Sequence, residues 1–176
     1  MAHWNRIAVP VFSMVVTIVC IQIAYATGWR INLTESEPLG IYRLEPVSGN
    51  IKRGALVEFC PPAFVTPEAF PFYMHGTCPG GGMPMFKQIA GIPGDRVHVD
   101  MAGVWINGQH LPFSQQMAGS ARFPEVLLPH QQGAFVLAKD EYWIYGSGAE
   151  PALAGQSFDG RYWGPITSLN ILGVIR

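Results

Sequence analysis

Residues Ile7 to Ala26 form a 20-residue apolar run without a single charge. At helical rise such a run spans a hydrocarbon core of about 30 Å. It divides the chain into a short terminus (1–6), an apolar segment (7–27) and a domain (28–176). Arg6 and the amino terminus precede the run, which favours an N-inside orientation with the domain on the far side. Ala24-Tyr25-Ala26 is also an A-x-A cleavage pattern, so a removed signal peptide is the second reading. The run exceeds the usual apolar stretch of a signal peptide, about 7–15 residues, which favours a retained anchor. Either way the domain is exported. It is expected to be held at the membrane or, after cleavage near Ala26, to be soluble.

The chain as a whole is poor in charge. Hydrophobic residues make up 49%, charged residues 13%, and the formal net charge is −1. That is too apolar for disorder. No run of Lys or Arg exists, so nucleic-acid binding has no electrostatic footprint. No site for a cofactor or metal is expected.

Export changes how the cysteines are read. Cys20 lies inside the apolar run. Cys60 and Cys78 lie in the exported part, where disulfides persist. A bridge between them would close a Pro/Gly-rich loop and contribute about 3 kcal/mol in the chain-entropy model. Zinc is the alternative, but there is no CxxC or His pair, and His75 alone is weak support.

The rest reads as short strands separated by turns: Ile41–Leu44, Ala55–Phe59, a strand opening at Met85, Arg96–Asp100, a hairpin around Asn107-Gly108, Ala134–Ala138, Tyr142–Tyr145 and Ile171–Ile175. Ser114 to Gln132 reads as irregular and Gly146 to Gln156 as a loop. No amphipathic helix of ordinary length follows the apolar run. The fold class is therefore mainly β, coiled or barrel-like, with one N-terminal transmembrane helix.

Three stretches carry chemistry. In Met85-Phe86-Lys87-Gln88-Ile89, alternation puts Met85, Lys87 and Ile89 on one face. Burial there would disfavour the ammonium form and lower the lysine pKa; a snorkelling lysine is the bland alternative. Ser36 sits in Ser-x-Pro-x-Gly, where Pro38 fixes φ and Gly40 permits unusual turns, so the hydroxyl can be presented rigidly. An ordinary turn serine would look the same. Ser157, Asp159 and Arg161 fall on one side of an extended segment. Asp159 and Arg161 can pair there, as a structural ion pair, while Ser157 helps orient the lysine amine.

Taken in order, Ser36-Glu37-Pro38-Leu39-Gly40-Ile41-Tyr42, Lys87 to Asp95 and Ser157 to Gly164 resemble the signal peptidase I clan of Ser/Lys-dyad proteases. More narrowly the chain resembles the TraF-type peptidases of conjugal transfer. The pointers are Gly40-Ile41-Tyr42-Arg43, Cys60-Pro61-Pro62 with Cys78-Pro79-Gly80-Gly81, and Gly164-Pro165-Ile166. The resemblance implies a signal-peptidase-like coiled β domain. It implies Ser36 as nucleophile, Lys87 as general base and the Ser36 backbone N–H as an oxyanion donor. It also implies an exported, membrane-bound precursor as substrate, a conjugative pilin subunit, with other conjugation proteins as possible partners. The acyl-enzyme would be resolved by water, or by an amine to give a cyclic product. A housekeeping signal peptidase and a catalytically inactive scaffold are the alternatives. His3, His75, His98, His110 and His130 have no serine-and-acid pattern around them for a triad.

There are departures from the clan. Glu35 and Glu37 flank Ser36, and carboxylates beside a developing oxyanion are unfavourable unless solvated or paired. Gly160 stands where many signal peptidases have serine. Gly146-Ser147-Gly148 stands where many have Gly-Asp-Asn.

Overall fold

The computed structural model describes residues 2–34, 36–120, 123–147 and 151–176, with backbone alone for 2–7, 151 and 152. Glu35 and Gly148 therefore lie outside the described residues. Helix α1 (Ala2–Ala26) takes up the apolar run and is followed by β1 (Trp29–Asn32), β2 (Gly40–Glu45), β3 (Leu56–Phe59) and β4 (Met85–Gly91). Then come β5 (Arg96–Asp100), β6 (Gly103–Ile106), β7 (Gln109–His110), β8 (Gly133–Val136) and β9 (Glu141–Tyr145). Two single-turn helices, α2 (Pro151–Ala154) and α3 (Gly160–Trp163), precede β10 (Ile166–Thr167) and β11 (Ile171–Ile175).

The strands form two antiparallel sheets, β1-β2-β11-β3-β4-β9-β10 and β7-β6-β5-β8. The mainly β class expected from the sequence is what the chain adopts. Asn107 and Gly108 both have positive φ (52° and 82°), as a two-residue hairpin between β6 and β7 requires. Trp143 and Ile144, successive residues of β9, face opposite ways. Ile144 joins the core of Val57, Phe59, Ile89 and Tyr162, whereas Trp143 joins that of Val97, Val99, Val104 and Leu137. Strand β9 is thus the wall between the two cores.

Asp95 bolts the Pro93-Gly94-Asp95 turn in place. Its carboxylate accepts hydrogen bonds from Ile92 N, Asn107 Nδ2 and the Arg53 guanidinium. This keeps the far end of β4 fixed.

Within α1, residues Ala8–Ala26 are long and apolar enough to cross a membrane and are exposed along their length. The helix is coupled to the sheet by Arg30. Its Nε donates to Glu58 at 2.8 Å, Nη1 donates to the carbonyl of Tyr25, and the guanidinium lies over the Tyr25 ring. The sequence reading did not assign β1, because Trp-Arg-Ile-Asn lies only two residues after the apolar run, with a single glycine, Gly28, marking the turn between them.

Cys60 and Cys78 are joined by a disulfide, and Cys20 is free on α1. Replacing both bridged cysteines by serine is expected to destabilise the domain by about 3 kcal/mol, a fall in Tm of roughly 6–12 °C. Thermal melts with and without reductant measure it. Two free thiols in protein isolated without reductant would refute the bridge.

Candidate active site

Lys87 lies at the middle of β4, opposite Val57 of β3. Strand alternation buries it with Ile89 on one face, and only 4% of its surface is exposed. Among the described residues its amine makes no hydrogen bond and no ion pair. Burial pushes its pKa from the ordinary 10.5 down to about 8. Asp159 and Glu37 oppose that shift by their charge, and Arg161 reinforces it. The lysine is therefore not snorkelling.

Gly146 follows β9, directly beside the amine. A Cβ on Gly146 would lie 1.8 Å from Ser157 Oγ and 3.1 Å from Lys87 Nζ. Only glycine leaves room for the serine and the lysine together. Ser157 is buried and its hydroxyl has no hydrogen-bond partner. It is thus beside the amine, as expected, but does not hydrogen-bond to it.

Asp159, Arg161 and Ser157 do not share one side of an extended segment. Asp159 has extended backbone but caps α3, accepting from Arg161 N, and Arg161 belongs to the helical turn. A cap side chain that binds the first turn is the usual way to satisfy its free N–H groups. Asp159 and Arg161 do pair, at 2.8 Å with both side chains fully buried. Asp159 also accepts from Gly146 N, and Arg161 donates to the carbonyls of Ala154 and Ser157. The pair braces the chain on which Gly146 and Ser157 sit. Gly160 has a steric reason too, since a Cβ there would lie 2.9 Å from the Ile144 carbonyl oxygen.

Ser36 lies in the turn between β1 and β2 and is half-buried. Asn32 ties this turn together, its Nδ2 donating to the carbonyls of Thr34, Glu37 and Pro38. The Tyr42 hydroxyl donates to the Pro38 carbonyl as well. Gly40 is not an unusual turn residue. It starts β2 and packs 3.4 Å, measured from a built Cβ, from the Tyr42 ring. Rigidity comes from Asn32 and Tyr42, which the sequence reading did not single out. Thr34 Oγ1 lies 3.3 Å from Ser36 Oγ and also donates to Asn32 Oδ1.

Glu37 is buried, with 1% of its surface exposed. Its carboxylate accepts two hydrogen bonds from Ser147, from N at 3.2 Å and from Oγ at 2.9 Å. Ser147 Oγ in turn accepts from Gln88 Nε2 at 3.0 Å. Burial raises the Glu37 pKa, while the Ser147 hydrogen bonds and the Lys87 charge act against that. In a flat sheet, β2 and β9 would be four strand spacings apart, about 19 Å. Direct contact between Glu37 and Ser147 therefore means that the sheet is rolled. The roll brings the Ser36 turn to the β4–β9 edge where Lys87 lies.

The family model described as signal peptidase, peptidase S26, matches residues 1–176. A conjugal transfer protein TraF of Agrobacterium tumefaciens is 34% identical over 156 residues, covering 87% of this chain and 83% of that protein. A plasmid transfer protein TraF of Escherichia coli is 35% identical over 156 residues, covering 86% and 83%. The crystal structure of a signal peptidase I from Enterococcus faecalis overlaps with a TM-score of 0.39 at 17% identity, covering 75% of this chain and all of that one.

Proposed function

The chain belongs to the signal peptidase S26 family, and from that premise we propose a membrane-anchored serine endopeptidase in which Ser36 is the nucleophile and Lys87 the general base. The observation that carries this reading is the state of Lys87: a buried amine with no ion-pair partner, its pKa pushed down to about 8. At pH 7 about one amine in ten is then uncharged, against about one in three thousand for a free lysine. An uncharged lysine can take the Ser36 proton as the oxygen attacks the scissile carbonyl. The collapsing intermediate expels the new amino terminus, which takes the proton from Lys87, and an acyl-enzyme remains. Water then releases the product, or an amine captures it as a cyclic one.

The Ser36 backbone N–H and the Thr34 hydroxyl are the proposed oxyanion donors. Thr34 would have to turn its proton away from Asn32 to serve. Ser157 is left with a free hydroxyl for the amine. The Asp159–Arg161 pair acts as a brace.

The substrate we propose is an exported, membrane-bound precursor of a conjugation apparatus, a pilin-like subunit. The transfer-protein names of the relatives support it. Position supports it too. Exposed Trp29, Ile31, Leu33, Leu39 and Ile41 cover the β1–β2 edge that follows α1, a surface suited to lipid. The proposed placement has α1 in the inner membrane and residues 28–176 in the periplasm, where the disulfide persists.

The pH dependence tests the base. Above its pKa Lys87 is neutral and competent, and below it is charged and inert. kcat/KM for precursor cleavage is expected to rise with pH through about 8 and then level off. A rate that keeps climbing to about pH 10 would mean an unperturbed lysine and would overturn the assignment.

A further inference from the structure

Glu37 is an odd neighbour for a nucleophile. A buried carboxylate one residue from Ser36 disfavours negative charge developing nearby, and an apolar residue would fill the space without that penalty. Yet Glu37 is held closely. Both hydrogen bonds that it accepts come from Ser147, 110 residues away in sequence. Among the described residues these are the only hydrogen bonds between the turn 33–39 and the chain leaving β9. The donors run in one direction, from Gln88 Nε2 to Ser147 Oγ to the Glu37 carboxylate. Gln88 directly follows Lys87 on β4. A chain of donors ending on a carboxylate favours its ionised form and works against the burial that raises the Glu37 pKa.

Resting on the Ser36–Lys87 reading, we infer that Glu37 is a positioning residue of this site: its carboxylate, gripped by Ser147, fastens the Ser36 turn to the strand that carries Lys87 and sets the charge that the lysine amine faces. The groups around that amine come from every element packed on it. Glu37 faces it from the β1–β2 turn. Asp159 and Arg161 face it from the start of α3, Asp159 raising the lysine pKa more than Glu37 does and Arg161 lowering it less than either raises it. The Ser157 hydroxyl is neutral, and Tyr145 of β9 is neutral with its pKa raised by burial. Asp159 has Arg161 as its ion-pair partner, whereas among the described residues Glu37 has no cation paired with it. Glu37 links two requirements of a Ser/Lys dyad, since the contact that docks the nucleophile also raises the proton affinity of the base that must take the serine's proton.

Two readouts test this on the full-length protein in detergent. The first does not depend on catalysis. The chain has three lysines, Lys52, Lys87 and Lys139, of which Lys52 and Lys139 are exposed. Labelling the lysine ε-carbons lets the Lys87 titration be followed by NMR with the other two as references. Glu37→Gln keeps the size and one accepting oxygen but removes the charge. It is expected to move the Lys87 midpoint to lower pH and leave Lys52 and Lys139 in place. The second readout is cleavage of a quenched fluorescent peptide carrying an Ala-x-Ala sequence. Ser147→Ala, which keeps the carboxylate but removes a donor, is expected to lower kcat/KM by about 10-fold or more, the loss typical of a hydrogen bond to a charged group. An unmoved Lys87 midpoint in Glu37→Gln would overturn the electrostatic half, and undiminished cleavage by Ser147→Ala the docking half. Cleavage that survives Ser36→Ala would instead overturn the dyad, while the NMR titration would still report on Glu37.

Discussion

Replacing Ser36 by alanine is expected to remove precursor cleavage, with a loss of at least about 10⁴-fold in kcat, as for other nucleophile deletions. Ser36 is half-buried, and among the described residues its oxygen hydrogen-bonds only with Thr34 Oγ1. The protein should therefore fold and melt as before. Lys87→Met is expected to be equally inactive but more stable at neutral pH. The folded-state pKa of about 8 lies below the ordinary 10.5, so the unfolded chain binds the proton more tightly. The lysine's contribution to stability is complete above about pH 10.5 and is lost as pH falls through about 8. At pH 7 the buried charge costs about 3 kcal/mol, at 1.36 kcal/mol per pH unit. Methionine removes that cost and fills the space, so the stability gain should be full at pH 7 and vanish above about pH 10.5. Denaturant titrations at the two pH values measure it. Residual cleavage by either variant at near wild-type rate would rule out the dyad. A Lys87→Met protein less stable than the wild type at pH 7 would rule out a strained lysine.

Asp159→Ala is expected to have the largest effect on folding. Arg161 is fully buried and directs its donors to Asp159, Phe113, Gln115, Ala154 and Ser157. Removing its only acidic partner leaves a cation in the interior. That costs about 3–5 kcal/mol, or a fall in Tm of roughly 6–20 °C for a chain of this size. Replacing both residues together, Asp159→Leu with Arg161→Met, should be milder than the single change, because no unpaired charge remains. Urea unfolding of the three proteins decides it. A loss under about 1 kcal/mol in Asp159→Ala, the range of exposed pairs, would show that the pair is not a brace.

Local chemistry made much of this molecule readable in its sequence. A lysine at period two between apolar residues needs only strand geometry to be buried, and Lys87 is. Asn107-Gly108 needs only turn stereochemistry. Cys60 and Cys78 needed only an exported chain and a loop to close. The misreadings have separate causes. Asp159-Gly160-Arg161-Tyr162-Trp163-Gly164 carries an N-cap acid, one helical turn and a closing glycine, signals that were present but read as extended chain. The Glu37–Ser147 contact had no local signal. It exists only because the sheet rolls, and roll is a property of all the strands together. Glu37 therefore looked like a misplaced charge until its partner, 110 residues on, was beside it.

The position of β11 has a consequence for timing. It pairs with β2 on one side and β3 on the other, so the ladder of backbone hydrogen bonds between the hairpin that presents Ser36 and the strands that hold Lys87 closes through a strand made after all the others described. Until β11 is made, the turn of Ser36 and the strand of Lys87 have no continuous ladder between them. A chain complete through Arg161 but not yet through Ile171 thus holds every residue of the proposed site without the strand that closes its sheet. Chain order alone would then put the assembly of the proposed dyad at the end of synthesis, with no inhibitory segment needed.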